Sequence, residues 1–516
     1  VETYTKVDRS LVSAVTTSKS VLGKAKSRHV AAMINDTNGV DYRVHNGSKN
    51  NLERGIVERV FYVQQDGGFR RPPAAVPLAY QQKLSEFKKL LCKLSVRTTP
   101  YIDEEFLATY RGRKLAVYSK AITSLKSRPV CVKDSYVSTF VKAEKVNFSS
   151  KSDPAPRVIQ PRNPRYNVVV GKYIKKIEHQ IYSNVAKVFG APTIVKGMNA
   201  SEQGEVIARK WSKFVDPVGV GLDASRFDQH TGVQALEWEH SIYQSFYPRD
   251  KRLKKYLSWQ LQNKGYGNTP DGFIKYVVDG CRMSGDMNTG LGNCVIMCGL
   301  IWSYMREVFP HSYELVNNGD DCTLIFERKH LSLIQSLPEW FLQMGYTMKV
   351  EPPVFILEQI EFCQTHPVFT GINHVMVRDP RTCLTKDLIT LKNVSVPGSW
   401  KFQMQAIADC GLAAYGNMPI LNEFYKSLDV GHRHRKAGYD REGGLEWLSL
   451  GMNVGYSTPS ATCRYSFFKA FDITPDEQCA IERYYTSRKT LKFNPGPVDL
   501  YNRSPELYIA SPIYLR

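Results

Sequence analysis

Between residues 217 and 327 the apolar positions change period several times. In VGVGLDASRFDQH (218–230), Val218, Val220 and Leu222 alternate with glycines, a period of two that predicts a strand with Asp223 at its end. TGVQALEWEHSIYQSFY (231–247) turns to helical spacing. GCRMSGDMNTGLGNCVIMCGLIWSYMREVF (280–309) reads as a glycine-rich loop opening a buried helix, in which Cys294 and Cys298 are expected to pack in the core and not to ligate a metal. LVNNGDDCTLIF (315–326) sets two apolar runs around Asn-Asn-Gly, a hairpin signal, and puts Asp320 and Asp321 side by side at its tip.

The flanking pattern is less regular. Residues 1–50 are rich in Ser, Thr, Asn and Lys with little periodicity, which predicts an extended or loosely attached arm. GGFRRPPAAVPLAY (67–80) is a Gly/Pro-punctuated loop carrying an Arg pair. Residues 101–125 read as one helix, with Phe106, Tyr110, Leu115 and Tyr118 near helical spacing, acids early and bases late. From 136 to 172, strand-like pieces, prolines around Arg157 and many bases suggest a basic β-loop reaching over something. Beyond about 376 the texture is mixed and helix-rich, and no internal repeat is visible.

Charge narrows the partners. Lys and Arg number 69 against 49 acids, a net +20, and so large an excess favours a polyanion through counterion release. RNA or DNA is the first expectation and an anionic membrane surface the second; 29 tyrosines favour the first, because rings among bases offer stacking platforms. Eleven scattered cysteines, an odd number, predict reduced thiols in a cytosolic setting, and His432 and His434 in GHRHRK lack the second ligand pair that zinc needs. No apolar run reaches the length of a membrane span. A first residue of Val and the lack of a secretory signal are expected of a fragment or processed product of a longer protein.

Two adjacent carboxylates at a hairpin tip repel each other unless a cation neutralises them. If the strand ending at Asp223 neighbours that hairpin, three carboxylates converge at one end of a sheet, and hard oxygen ligands suit Mg²⁺ or Mn²⁺. Two such ions, about 3.5–4 Å apart, would support an in-line phosphoryl transfer. Gly-Asp-Asp alone is weak, since Asp-rich hairpin turns are common. The ordered set is not weak: DxxxxD (Asp223, Asp228), then SGxxxTxxxN (Ser284, Gly285, Thr289, Asn293), then GDD.

With that set the chain resembles the RNA-dependent RNA polymerases of positive-strand RNA viruses, most of all those of the Tombusviridae and their flavivirus-like relatives, from about residue 55 to about 390. The resemblance implies an α+β right-hand fold: an arm or linker over 1–50, fingers over 51–215, palm over 216–235, a fingers insertion over 236–278, palm again over 279–375 and thumb over 376–516. It implies that Asp223 and Asp320 bind two catalytic metals with Asp321 assisting. Asp228, Ser284, Thr289 and Asn293 would contact the nucleotide, reading the ribose 2′-OH that separates RNA from DNA. Gly285 would let backbone approach the template–nucleotide pair. The basic loop at 140–157 resembles the motif whose bases hold the triphosphate, here Lys142, Lys145 and Arg157, with Lys151 as a substitute for either lysine. LQMGYTMKVE (342–351) resembles the motif whose lysine, here Lys349, donates a proton to pyrophosphate. IEFCQT (360–365) resembles the hairpin under the growing strand, where Phe362 and Cys363 would only pack. Implied partners are template and nascent RNA, ribonucleoside triphosphates, a viral auxiliary replication protein and host factors. The implied location is the host cytoplasm at membrane-associated replication complexes, with membrane contact only indirect. A reverse transcriptase would have no use for ribose selection by Asp228 and Asn293. The rival of another class is a non-catalytic RNA-binding scaffold, which the net charge fits equally well but which leaves the carboxylates without purpose.

Overall fold

The computed structural model describes residues 1–8, 12, 14–20, 23–25, 27–32, 40–392, 399–431 and 444–487, and mixes helices with largely antiparallel sheet. Four strands, β1 (Pro217–Ala224), β2 (Tyr313–Asn318), β3 (Asp321–Glu327) and β4 (Met348–Val350), form a sheet of order β2–β3–β1–β4, every neighbour antiparallel. Period-two alternation gives this sheet two different faces. Val218, Val220, Leu222 and Ala224 of β1, Leu315 of β2, and Cys322, Leu324 and Phe326 of β3 enter one core, with residues of helices α1 (Pro164–Phe189), α2 (Val233–Phe246) and α3 (Thr289–Val308). Each such side chain contributes about 1.5–3 kcal/mol by leaving water. Val316 and Ile325 face a second core, shared with Ile360, Phe362 and the helices Ser399–Tyr415, Ala461–Phe471 and Pro475–Ser487.

The glycines of β1 answer to this second face. A Cβ on Gly219 would stand 2.9 Å from Ile360, and one on Gly221 would stand 2.2 Å from a Glu351 carboxylate oxygen. Alternating Val and Gly therefore reflect two neighbours at two distances. Helix α3 is buried on nearly every side, and Cys294 and Cys298 are fully buried within it, packed as expected. All eleven cysteines are free thiols.

Several sequence expectations change in detail. The described parts of the N-terminal segment are extended but not loosely attached. The Val1 amine donates to the Val44 carbonyl (2.6 Å), Thr3 donates to Asn51 Oδ1 from its N–H (2.8 Å) and its hydroxyl (2.7 Å), and residues 15–19 pair with the strand Gly272–Asp279. That pairing satisfies backbone groups on a sheet edge, which polar composition does not advertise. Residues 101–125 form two helices, Asp103–Ala108 and Gly112–Ser127, parted where Gly112 adopts φ +58°. The aromatic spacing survives the break because Phe106, Tyr110 and Tyr118 meet as a three-ring cluster with centroids 4.7–5.5 Å apart. Strand texture over 136–172 ends at Ile159; Pro164, in the first turn after the capping Asn163, opens α1 instead.

The described residues beyond 376 are helix-rich, as the texture predicts. His432 and His434 lie outside the described residues. Among the described residues no helix is long and apolar enough to cross a membrane.

Candidate active site

Register places Asp223 directly opposite Asp321 of β3 on one side and opposite Lys349 of β4 on the other. Opposed residues of antiparallel strands share a face, so Lys349, Asp223 and Asp321 form a row across three strands. Asp320 stands beside the row in the two-residue loop Gly319–Asp320. That loop needs glycine at its first position, where φ is +76°, and the Gly319 N–H donates to Cys294 Sγ of α3 (3.2 Å). Asn317 fastens it further: its side chain donates to the Gly319 carbonyl (2.7 Å), and its backbone exchanges hydrogen bonds with Thr193 and Val195 (2.9 Å each).

Like charges directly opposed destabilise a sheet. Removal from water pushes the Asp321 carboxyl up to about 6; Asp320 adds to the rise, and a hydrogen bond with the Cys363 thiol opposes it. Asp320 is raised by removal from water and by Asp223, against the pull of Arg157 and Lys196. The donors here are all carboxylate oxygens, a set that suits Mg²⁺ or Mn²⁺. Among the described residues no three His, Cys, Asp or Glu side chains already form a metal cage. The fold supplies carboxylates gathered at one sheet end, whose mutual repulsion a dication would remove.

A second group lies behind this row. Asn293 Nδ2 donates to Asp228 Oδ1 (2.8 Å), joining two of the residues expected to read ribose. Arg282 Nε donates to Asn293 Oδ1 (3.0 Å), which fixes which way the amide faces. Arg282 is itself fully buried against fully buried Glu239, whose carboxylate also accepts from Tyr243 Oη (2.6 Å) and Asn288 Nδ2 (2.8 Å). Gly292 makes room for the pair, since a Cβ there would lie 2.2 Å from Glu239 Oε1.

Burial pushes the Asp228 carboxyl up to about 6, against the Asn293 hydrogen bond and Arg282. Between about pH 4 and 6 the folded chain therefore holds a proton that the unfolded chain has released, and stability falls as pH rises through that window. Urea titrations of the metal-free protein should show this slope, and Asp228→Asn should make it shallower, with the raised Asp321 carrying much of the remainder; an unchanged slope would assign the effect to other groups.

Ser284 Oγ accepts from the Gln160 N–H (3.1 Å), and Thr289 Oγ1 donates to the Met283 carbonyl (2.7 Å), so both hydroxyls are engaged in holding loops. The space a side chain on Gly285 would take is occupied by Pro161, whose Cα would be 2.5 Å away. The chain's own backbone thus sets a need for glycine there, alongside the expected close approach of a template–nucleotide pair.

The basic loop is brought to the site in part. Arg157, 57% exposed, pairs with Glu144 (3.3 Å), and its charge reaches both Asp320 and Asp228. Lys142 pairs with the same glutamate (3.0 Å). The Lys145 ammonium donates to the Lys386 (3.0 Å) and Ile389 (2.9 Å) carbonyls. Lys151 is exposed in the turn that follows.

The structure adds residues that the sequence reading missed. The Arg59 guanidinium donates to the Ala155 carbonyl (2.9 and 3.2 Å), and Arg226 donates to the Glu58 carbonyl. Burial lowers Arg59 to about 10, with Arg226 and Arg157 adding repulsion, so three guanidiniums crowd one spot. Arg226 lies inside the DxxxxD string, a signal that was available, and adopts φ +47°; Arg59 carries none, because its place depends on a loop almost a hundred residues away. Lys196 reaches over Gly290, where a Cβ would lie 2.7 Å from Lys196 Cε, and its charge acts on Asp320. Phe362 is buried as expected, but Cys363 does more than pack, since its thiol bonds Asp321 and accepts from Asn318 Nδ2 (3.6 Å).

Comparison with known proteins bears on the whole assembly. A family model described as viral RNA dependent RNA polymerase matches residues 13–492. The RNA-directed RNA polymerase of Tobacco necrosis virus (strain A) is 45% identical over 467 residues, covering 90% of this chain and 64% of that protein. Those of Turnip crinkle virus and Tomato bushy stunt virus (strain Cherry) are 41% and 44% identical, over 90% and 93% of this chain and 60% and 59% of their own lengths. The chain thus spans roughly three fifths of the length of these relatives.

Proposed function

The chain belongs to the viral RNA-dependent RNA polymerase family, and from that premise we propose that it adds ribonucleotides to an RNA 3′-end under the direction of an RNA template during viral genome replication. The observation that carries this reading is the row Lys349–Asp223–Asp321 with Asp320 beside it. A scaffold would have no use for so costly a gathering of like charge.

The layout that goes with this reading is a right hand, with the palm at 216–235 and 279–375, fingers at 51–215 and 236–278, a thumb at 376–516 and an arm at 1–50. Two divalent ions, held by Asp223 and Asp320 with Asp321 assisting, would activate the attacking hydroxyl and stabilise the departing oxygen. Arg157, with Arg59 and Arg226 close behind it, meets the triphosphate, and three crowded guanidiniums gain when a polyanion arrives. Lys142 lies at the edge of that group. Asp228 and Asn293 orient the ribose by its 2′-OH. The Cys363 thiol holds one oxygen of Asp321, which steadies that carboxylate beside its neighbours.

Lys349 stands opposite Asp223 and is the proton donor to leaving pyrophosphate. Lys349→Ala should slow addition by about a hundredfold in single-turnover reactions, and the solvent deuterium isotope effect on that step should shrink in the variant. An isotope effect unchanged by the substitution would mean that the lysine only supports the carboxylates.

Work in the host cytoplasm at membrane-associated complexes, with an auxiliary viral protein and host factors, completes the proposal. Its direct test is the purified chain with an RNA template, four labelled ribonucleotides and Mg²⁺ or Mn²⁺. Incorporation is expected, to be lost on chelation, and deoxynucleotides offered in competition should be refused. Absence of product on every RNA and with either ion would sink the reading.

A further inference from the structure

A cleft of about 640 Å³ opens between residues 97–100 and the turn 246–252. We propose that this cleft is a second RNA-binding site, which grips the phosphodiester backbone of a strand away from the reaction centre. Arg97, Arg249, Lys251 and Arg252 line it, with Asp250 the one acid among the lining residues. Asp250 does not neutralise them. Its Oδ1 accepts from the Arg252 (2.9 Å) and Leu253 (3.3 Å) N–H groups, and its Oδ2 accepts from Tyr173 Oη (2.8 Å). The Arg252 guanidinium stands 3.8 Å from that carboxylate, a loose, exposed pair.

The walls are rigid. Thr98 N–H donates to the Phe246 carbonyl (3.0 Å), Asp250 N–H to the Tyr247 carbonyl (3.0 Å), and Tyr247 Oη to the Tyr173 carbonyl (2.8 Å). Cations held on a fixed backbone with this little compensation repel one another, and a row of phosphates relieves that repulsion. The charged surface continues past the cleft, where Lys175 and Lys176 of α1 lie over the rings of Tyr110 and Tyr101, each 4.6 Å from the centroid.

Distance separates this cleft from the carboxylates. Phe246 ends α2, whose first residue, Val233, follows Asp228 by one short turn, and a helix of this length runs about 21 Å. A strand lying here is therefore a different stretch of RNA from the nucleotides being joined. A concave, polar cleft suits a strand better than a bilayer, and the exposed Val96 and Ile102 beside it (62% and 60% exposed) are too small an apolar face to enter one. The choice of RNA as ligand rests on the polymerase reading; the cationic cleft does not.

The test neutralises Arg97→Gln, Arg249→Gln and Lys251→Gln together in the full chain. Binding of a single-stranded RNA of about 30 nucleotides is measured across a salt series, and the slope of log K against log salt should become shallower by about 2, a loss of about a hundredfold near 0.1 M salt. Removing three exposed charges from other elements, Arg209→Gln, Lys329→Gln and Lys401→Gln, should change the slope far less. Nucleotide addition on a short, saturating template should match the parent; if the parent itself adds nothing, the polymerase reading fails while the salt slopes still decide this one. An unchanged slope in the first triple variant overturns the proposal. So does loss of binding to vesicles of anionic phospholipid with RNA binding intact.

Discussion

Asp320→Asn is expected to abolish nucleotide addition, by a factor of about a thousand or more, while RNA retardation in a gel stays at the parent level. The substitution keeps the shape of the Gly319–Asp320 loop, whose form rests on Gly319 and on the Asn317 side chain, and an amide oxygen can still accept from residue 320's own N–H as the carboxylate does. What it removes is one negative charge from the group that would hold the metals. Charge stabilisation aimed at a reacting centre is commonly the largest part of catalysis, and a single donor there is worth about a hundred- to a thousandfold. On the proposed function, RNA affinity would come from the net +20 of the chain and would gain slightly from the loss of an acid. The same change should also lower the Asp321 carboxyl, since Asp320 is the main charge raising it. Robust incorporation by this variant would remove the basis of the assignment.

Glu239→Gln should have the largest effect on folding and a separate one on sugar choice. Arg282 and Glu239 are both fully buried, and breaking such a pair leaves a charge without compensation, a cost of about 3–5 kcal/mol in a urea titration. The consequence for function runs through one amide. Arg282 faces Glu239 with its terminal nitrogens and Asn293 with Nε, and Asn293 in turn faces Asp228. With the guanidinium released, the amide loses the contact that sets its orientation, and rejection of deoxynucleotides should weaken. Glu239→Leu with Arg282→Met separates the two effects. Apolar replacement of a buried ion pair is often neutral or stabilising, so stability should return while ribose preference stays impaired. Recovery of both together would make the pair purely structural.

The central carboxylates were legible because each lies where a local pattern ends. Asp223 closes an alternating run, and Asp320–Asp321 follow Asn-Asn-Gly, so strand, turn and acid can be read within a dozen residues. That Asp223 faces Asp321 and Lys349 is a matter of register, which turn chemistry and the two-sided burial of the strands make a natural outcome. Of the three crowded guanidiniums only Arg157 was legible. Arg59 and Arg226 reach the same spot from a helix and from a turn, and no periodicity links them. Lys145 adds a contact of the same long-range kind: its ammonium donates to two carbonyls at 386 and 389, far along the chain.

The division follows from the range of the forces involved. Chain-local rules of strand alternation, turn geometry and helix opening act over a few residues, and they determined the three-string order of acids, glycines and amides from which the family resemblance and the metal chemistry were read. Folding alone decided that the N-terminal segment completes a sheet edge, that Arg282 orients Asn293 through a partner 43 residues away, and that cations from 97 and 249 share one cleft. Hydrogen bonds and charges act across space without regard to sequence separation, so which long side chains meet is written only in the packed structure.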